Sequence, residues 1–198
     1  MKRLTAKQLA GIAVLTALVI VLQAVGGSIT IGVVTLNFTL IPIVLGGILY
    51  GWLGGGFLGL VCGVVVLIQV IMGGIPFYQL IWANDPVVTT LTCLVKTTAA
   101  GMLAGLLFKL VSKKNTVVAL FVASGIVPIV NTILFVLGCL GMTDSVYVMA
   151  GGQNVLAFIL VGIVTFNFFI ELAINLLVAP ALHRVIGVVD RKYREKKQ

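Results

Sequence analysis

The sequence predicts an all-α integral membrane protein. Residues 1–198 are expected to form one domain of six transmembrane helices in a compact bundle, with both termini cytoplasmic. Three observations predict this. Hydrophobic residues make up 61% of the chain and charged residues 9%, whereas soluble domains carry about 25% charged residues. Apolar stretches recur at the length of roughly 20 residues that a helix needs to cross a bilayer. Basic residues gather at the two ends and in one short loop, as membrane topology requires. That placement also argues against reading the net charge of +8 as a nucleic-acid surface.

The spans are expected as follows. Span one runs from Gln8 to Gly27, too long and without the small-residue cleavage site of a signal peptide. Span two covers Val33 to Leu53 and contains Pro42, and a very tight turn joins it to span three, Gly54 to Gly74. Span four is Val87 to Phe108, and span five is Thr116 to Leu140 with Pro128 inside it. Span six, Asn154 to Leu182, is long enough to require tilt or an emerging end. Prolines within spans are tolerated where neighbouring helices satisfy the freed backbone groups.

Lysine and arginine give the orientation. Lys2, Arg3 and Lys7 precede span one; Lys109, Lys113 and Lys114 separate spans four and five; Arg184, Arg191, Lys192, Arg194, Lys196 and Lys197 follow span six. With six spans all three clusters fall on one side, which the positive-inside rule makes cytoplasmic. The opposite loops, Gly26 to Gly32, Ile75 to Pro86 and Gly141 to Gln153, carry no Lys or Arg. The middle one lies within "GGIPFYQLIWANDPV", with Phe77, Tyr78, Trp82, Asn84 and Asp85. Asp85 and Pro86 read as an N-cap and first-turn pair opening span four. Tyr78 and Trp82 suit either an interfacial aromatic belt or a ring over a ligand.

Two ionisable residues lie well inside spans. Lys96 stands about ten residues into span four, on the order of 15 Å along the axis, and Glu171 stands midway along span six. Such groups are costly in lipid and should face protein or a water-filled space. In "FNFFIELAIN", Asn167, Glu171 and Asn175 recur at i, i+4 and i+8, one face of a helix. Asn131 adds a deep amide in span five, Asn37 sits early in span two, and Gln153 and Asn154 stand at the outer entrance to span six. Interhelical hydrogen-bonding glue explains one such amide. A charged pair with an amide stripe under uncharged outer loops fits a solute pocket better. An ammonium with a nearby carboxylate can hold an anionic group, and the amides can hold hydroxyls or an amide linkage.

Small residues mark close helix contacts. Gly55, Gly59 and Gly63 in span three, and Gly101 and Gly105 in span four, read as internal packing. Span one carries Ala6, Ala10, Ala13, Ala17 and Ala24, a stripe in the cytoplasmic half of an outermost helix that could dock another membrane protein. Cys62, Cys93 and Cys139 lie in apolar segments without a CxxC spacing and read as packing residues. His183 lies near the cytoplasmic end. No P-loop, HExxH or GxSxG motif is present. The chain also lacks the length and inverted halves of a self-sufficient secondary transporter.

These residues resemble the substrate-binding S component of energy-coupling factor (ECF) vitamin transporters. The carriers are six spans with both ends inside, the AxxxA of "AVLTA" at Ala13 and Ala17, "LNFTLIPIVLGGILYGWLGG" in span two and "LVKTTAAGMLAGLL" in span four. The resemblance implies a multi-pass protein of the bacterial cell membrane that captures a vitamin at its outer side. It implies docking through Ala10, Ala13 and Ala17 onto a membrane scaffold (T) subunit driven by two cytoplasmic ATPase subunits, with no catalysis and no cofactor in this chain. It places the vitamin site in the outer loops and the outer parts of spans four to six, and the residues read as binding it are Lys96, Asn131, Asn167, Glu171, Trp82, Tyr78, Asn84, Asn37, Gln153 and Asn154. A cation deep in the pocket favours an acid, and few aromatics accompany the polar stripe. Pantothenate matches best, with folate or a pyrimidine precursor as alternatives. Three other classes compete: a small stand-alone permease, a membrane enzyme or assembly factor with a buried Lys–Glu pair, and a purely structural subunit.

Overall fold

A computed structural model describes residues 5–26, 30–31, 34–35, 37–74, 76–152 and 154–194. Gln153, among the expected pocket residues, lies outside the described residues. The chain is helical, with five helices long and apolar enough to cross a membrane among the described residues. In order they are α1 (Ala6–Gly26), α2 (Leu40–Ile71), α4 (Pro86–Val111), α5 (Thr116–Gly141) and α8 (Thr165–Arg194). Between them lie a small antiparallel pair, β1 (Thr30–Ile31) with β2 (Val34–Thr35), and the short helices α3 (Pro76–Asn84), α6 (Thr143–Met149) and α7 (Val155–Ala157). A π-helical segment, Phe158–Val164, joins α7 to α8.

Spans two and three fall within the single run α2, which is broken at Gly51. Gly51 has φ 75° and ψ −174°, a conformation open essentially to glycine alone. A Cβ added there meets nothing within 4 Å, so backbone conformation rather than space calls for the glycine. The two halves fold back on each other: Gly46 faces Leu58, Gly47 approaches Gly55, and the Thr39 hydroxyl lies 3.1 Å from the Cys62 sulfur. The expected tight turn is therefore a reversal within one helical run.

Span two begins later than expected. Helix starts at Leu40, not Val33, because the β-branched residues Thr30, Ile31, Val34 and Thr35 pair as extended backbone, Thr30 with Thr35 and Ile31 with Val34. Span six runs on past Leu182 to Arg194 despite Pro180. Two of the outer segments expected as loops contain helices, α3 and α6. Asp85 does precede a Pro-led helix, but its side chain makes no cap hydrogen bond. Its Oδ2 instead accepts from Ser145 Oγ at 2.9 Å, tying the start of α4 to α6.

Packing of α2 on α4 fixes the middle of the bundle. A Cβ at Gly55 would collide with the Gly101 carbonyl, one at Gly59 with the Thr97 carbonyl, and one at Gly63 would come within 2.6 Å of the Cys93 carbonyl. Each four-residue advance along α2 matches a four-residue retreat along α4, so the helices run antiparallel with backbones nearly touching. Thr97 Oγ1 donates to the Gly59 carbonyl at 2.7 Å across this seam. The glycines are thus internal packing, as expected. Cys62, Cys93 and Cys139 are free and buried. The outward positions of α1, including Leu9, Val14, Val21 and Val25, are exposed apolar side chains of the kind that meets lipid.

Candidate functional site

Lys96 emerges from α4 into the interior and is 7% exposed. Its apolar helix supplies the stem, and α3 and α5 supply the surroundings. Nζ donates to Tyr78 Oη at 2.7 Å and stands 5.1 Å from the ring centroids of both Tyr78 and Phe135. The two rings lie 5.7 Å apart at 56°, so the ammonium sits in a two-ring cradle where cation–π attraction compensates part of the lost hydration. Burial raises the Tyr78 phenol above its ordinary range, with the Lys96 charge acting in the opposite sense. The phenol therefore remains a neutral acceptor. An ammonium has three donors, and one is engaged among the described residues.

On α8 the stripe Asn167, Glu171 and Asn175 is buried along one face, at 7%, 7% and 3% exposure. Asn175 Nδ2 donates back to the Glu171 carbonyl at 2.8 Å, which occupies that amide within its own helix. The Glu171 carboxylate accepts the Asn37 backbone N–H at 3.0 Å. No direct ion pair joins Lys96 to Glu171 among the described residues. On α5, Asn131 is 6% exposed. Asn131 Oδ1 and both amide atoms of Asn167 are buried without a hydrogen-bond partner, as is Ser124 Oγ.

A second polar group extends from Glu171. Asn37 bonds the Thr39 hydroxyl, which also reaches Gln23 Oε1 at 3.5 Å. Gln23 Nε2 donates to Gln69 Oε1 at 2.9 Å, and Gln69 Nε2 returns to the Gln23 carbonyl at 3.1 Å. This string links α1, both halves of α2 and α8. Sequence reading missed Gln23, Thr39 and Gln69. Each is a lone polar residue near a span end, and only contact between distant segments distinguishes it from an interfacial residue.

The expected site residues separate into groups. Lys96 and Tyr78 are in contact, Asn37 and Glu171 are in contact, and Asn131 and Asn167 are buried on facing helices. Trp82 is half-buried and packs on the apolar core. Asn84 is exposed and donates to the Leu80 carbonyl at 3.2 Å. Asn154 is exposed, and its Oδ1 caps α7 by accepting from Leu156 N at 3.0 Å and Ala157 N at 3.3 Å. Ala10, Ala13 and Ala17 are exposed on α1, whereas Leu15, Val19 and Gln23 turn inward. The alanine stripe is therefore not internal packing.

Residues 7–183 match the family model described as ECF transporter, substrate-specific component. No curated protein gives a significant match to the chain.

Proposed function

The chain belongs to the ECF transporter substrate-specific component family, and from that premise we propose that it captures an anionic, hydrogen-bonding vitamin, pantothenate best fitting the groups present. The family is one of transport subunits rather than enzymes, and the apolar helices make this member a multi-pass membrane protein. The observation that carries the ligand reading is Lys96, an ammonium buried against Tyr78 of α3 with donors to spare, in a bundle that also buries amide atoms without partners. Its remaining N–H groups hold the carboxylate, and Asn131, Asn167 and Glu171 meet hydroxyls and the amide of the same molecule. Tyr78 closes over the ammonium, and Trp82 and Asn37 border the space.

The reading of the whole molecule is six crossings, the two halves of α2 counting as two, with both termini cytoplasmic in a bacterial cell membrane. Basic clusters at Lys109, Lys113 and Lys114 and beyond Arg184 support that orientation. Docking on the scaffold subunit, itself coupled to two ATPase subunits, uses Ala10, Ala13 and Ala17, whose exposure leaves a flat strip for a second helix.

Lys96→Met tests the ligand role, because it keeps the apolar stem and deletes the charge. Pantothenate should bind about 10- to 100-fold more weakly, the scale of a hydrogen bond to a charged group. The neutral amide analogue of pantothenate should lose much less. Equal losses for acid and neutral analogue in calorimetric titration would reduce Lys96 to a structural partner of Tyr78 and Glu171. In that case Lys96→Met combined with Glu171→Gln would bind as wild type.

A further inference from the structure

We propose that Asn131 and Asn167 form a subsite that reads an amide-type edge of the solute, a hydrogen-bond donor set beside an acceptor. The assignment deepens the reading above and rests on the α5–α8 interface being the solute site. Buried side-chain amides nearly always have partners. Asn167 has neither Oδ1 nor Nδ2 bonded, and Asn131 leaves Oδ1 unbonded, although both residues are more than nine-tenths buried. Whichever way the Asn167 amide is turned, one donor and one acceptor face no partner.

In the six-crossing reading spans five and six run antiparallel, which puts the two amides at one level. A Cβ at Gly125 of α5 would touch Leu172 and Leu176 of α8, at 3.9 and 3.7 Å. Moving six residues on from Gly125 and six back from those leucines brings Asn131 opposite the turn that holds Asn167. Both helices are irregular beside this level. Pro128, one turn before Asn131, has no N–H for the Ser124 carbonyl, and the hydroxyl of Ser124 is itself unbonded. On the other side the π-helical segment Phe158–Val164 ends three residues before Asn167, and such segments are frequent at functional sites. Glu171 lies one turn further along α8 with its carboxylate turned to Asn37.

This arrangement selects a chemical class. A primary amide pairs with a neighbouring donor and acceptor by two antiparallel hydrogen bonds, as Asn does on a base edge. A hydroxyl beside an amide carbonyl, a lactam or an aminopyrimidine offers such an edge. A carboxylate does not, because it is acceptor-only when ionised and leaves the Asn oxygens unmatched. The anionic end of the solute therefore belongs at Lys96 and its neutral polar end at the two amides.

Asn167→Leu and Asn131→Leu delete the polar atoms at similar volume. Wild type and variants are stripped of ligand, melted, and then titrated with pantothenate, folate and 4-amino-5-hydroxymethylpyrimidine. The ligand-free variants should melt at or above wild type, because no hydrogen bond is lost and buried unpaired polar atoms are removed. A probe that binds wild type should bind each variant about 10- to 100-fold more weakly. A clear fall in melting temperature of ligand-free Asn167→Leu would overturn the subsite and make its amide interhelical glue. Unchanged affinity for a probe that binds wild type would also overturn it. If none of the three probes binds wild type, the reading of the site as one for these vitamins fails instead. The melting comparison then decides the amides by itself: a fall refutes the subsite, and unchanged or raised melting supports it.

Discussion

Lys96 sits in an apolar helix because other elements compensate its charge. Tyr78 arrives from α3 with an oxygen at 2.7 Å and Phe135 arrives from α5 with a ring face. Deleting the oxygen leaves an ammonium with rings alone. Tyr78→Phe should therefore destabilise the protein by about 1.5–3 kcal/mol, the value of a hydrogen bond to a charged group. Thermal unfolding of purified protein measures it, and a melting temperature equal to wild type would mean that Lys96 finds an equivalent acceptor. The candidate site was partly legible at this scale. An ammonium, a carboxylate and amides inside apolar runs are local anomalies, so Lys96, Glu171, Asn131 and Asn167 stand out by themselves. Which of them touch is not local: Lys96 bonds Tyr78 and Glu171 bonds the Asn37 backbone.

At the scale of elements, glycine decides how closely helices approach. A side chain at Gly59 would strike the Thr97 carbonyl, which is backbone and cannot swing away. Gly59→Val should cost on the order of 1–3 kcal/mol from overpacking. Gly187→Ala, inside α8 where an added Cβ meets nothing within 4 Å, should stabilise by up to about 1 kcal/mol. Unfolding curves for the two variants check this, and equal stability would mean that the α2–α4 seam is loose. The alanines of α1 behave differently, because Ala10, Ala13 and Ala17 point away from the bundle. Ala13→Trp should leave vitamin binding by the isolated protein unchanged and abolish uptake by the assembled transporter, since bulk on the strip blocks close helix approach. Normal uptake by that variant would make the strip a lipid-facing surface.

For the whole molecule the question is which side each end occupies. The proposed orientation puts α3 outside and the turn between α4 and α5 inside. A cysteine introduced at Gln79 should react with a membrane-impermeant reagent in intact cells, and one at Asn115 should react only after lysis. Both residues are exposed, so burial does not confuse the result, and labelling of Asn115 from outside would overturn the six-crossing reading. That orientation puts on one outer side a set of segments tied to each other: Tyr78 and Ile81 of α3 are buried, Asp85 accepts from Ser145, and Thr89 Oγ1 donates to Met142 Sδ at 3.4 Å.

By itself the sequence determined that the chain is a helical membrane protein, where most of its long helices lie, that Gly55, Gly59, Gly63, Gly101 and Gly105 pack inside, and which buried residues are chemically unusual. Those properties follow from composition, from the length of apolar runs and from the helical repeat, all of which act over one or a few turns. Tertiary structure alone decided that spans two and three are one run reversed at Gly51, that Thr30–Ile31 and Val34–Thr35 pair as strands ahead of α2, and that Gln23, Thr39 and Gln69 connect to Glu171. It also decided that Asn175 is spent on its own helix while Asn167 is not. A hydrogen bond between helices depends on their relative rotation and register. Packing across the whole bundle sets both, and no local stretch of sequence records them.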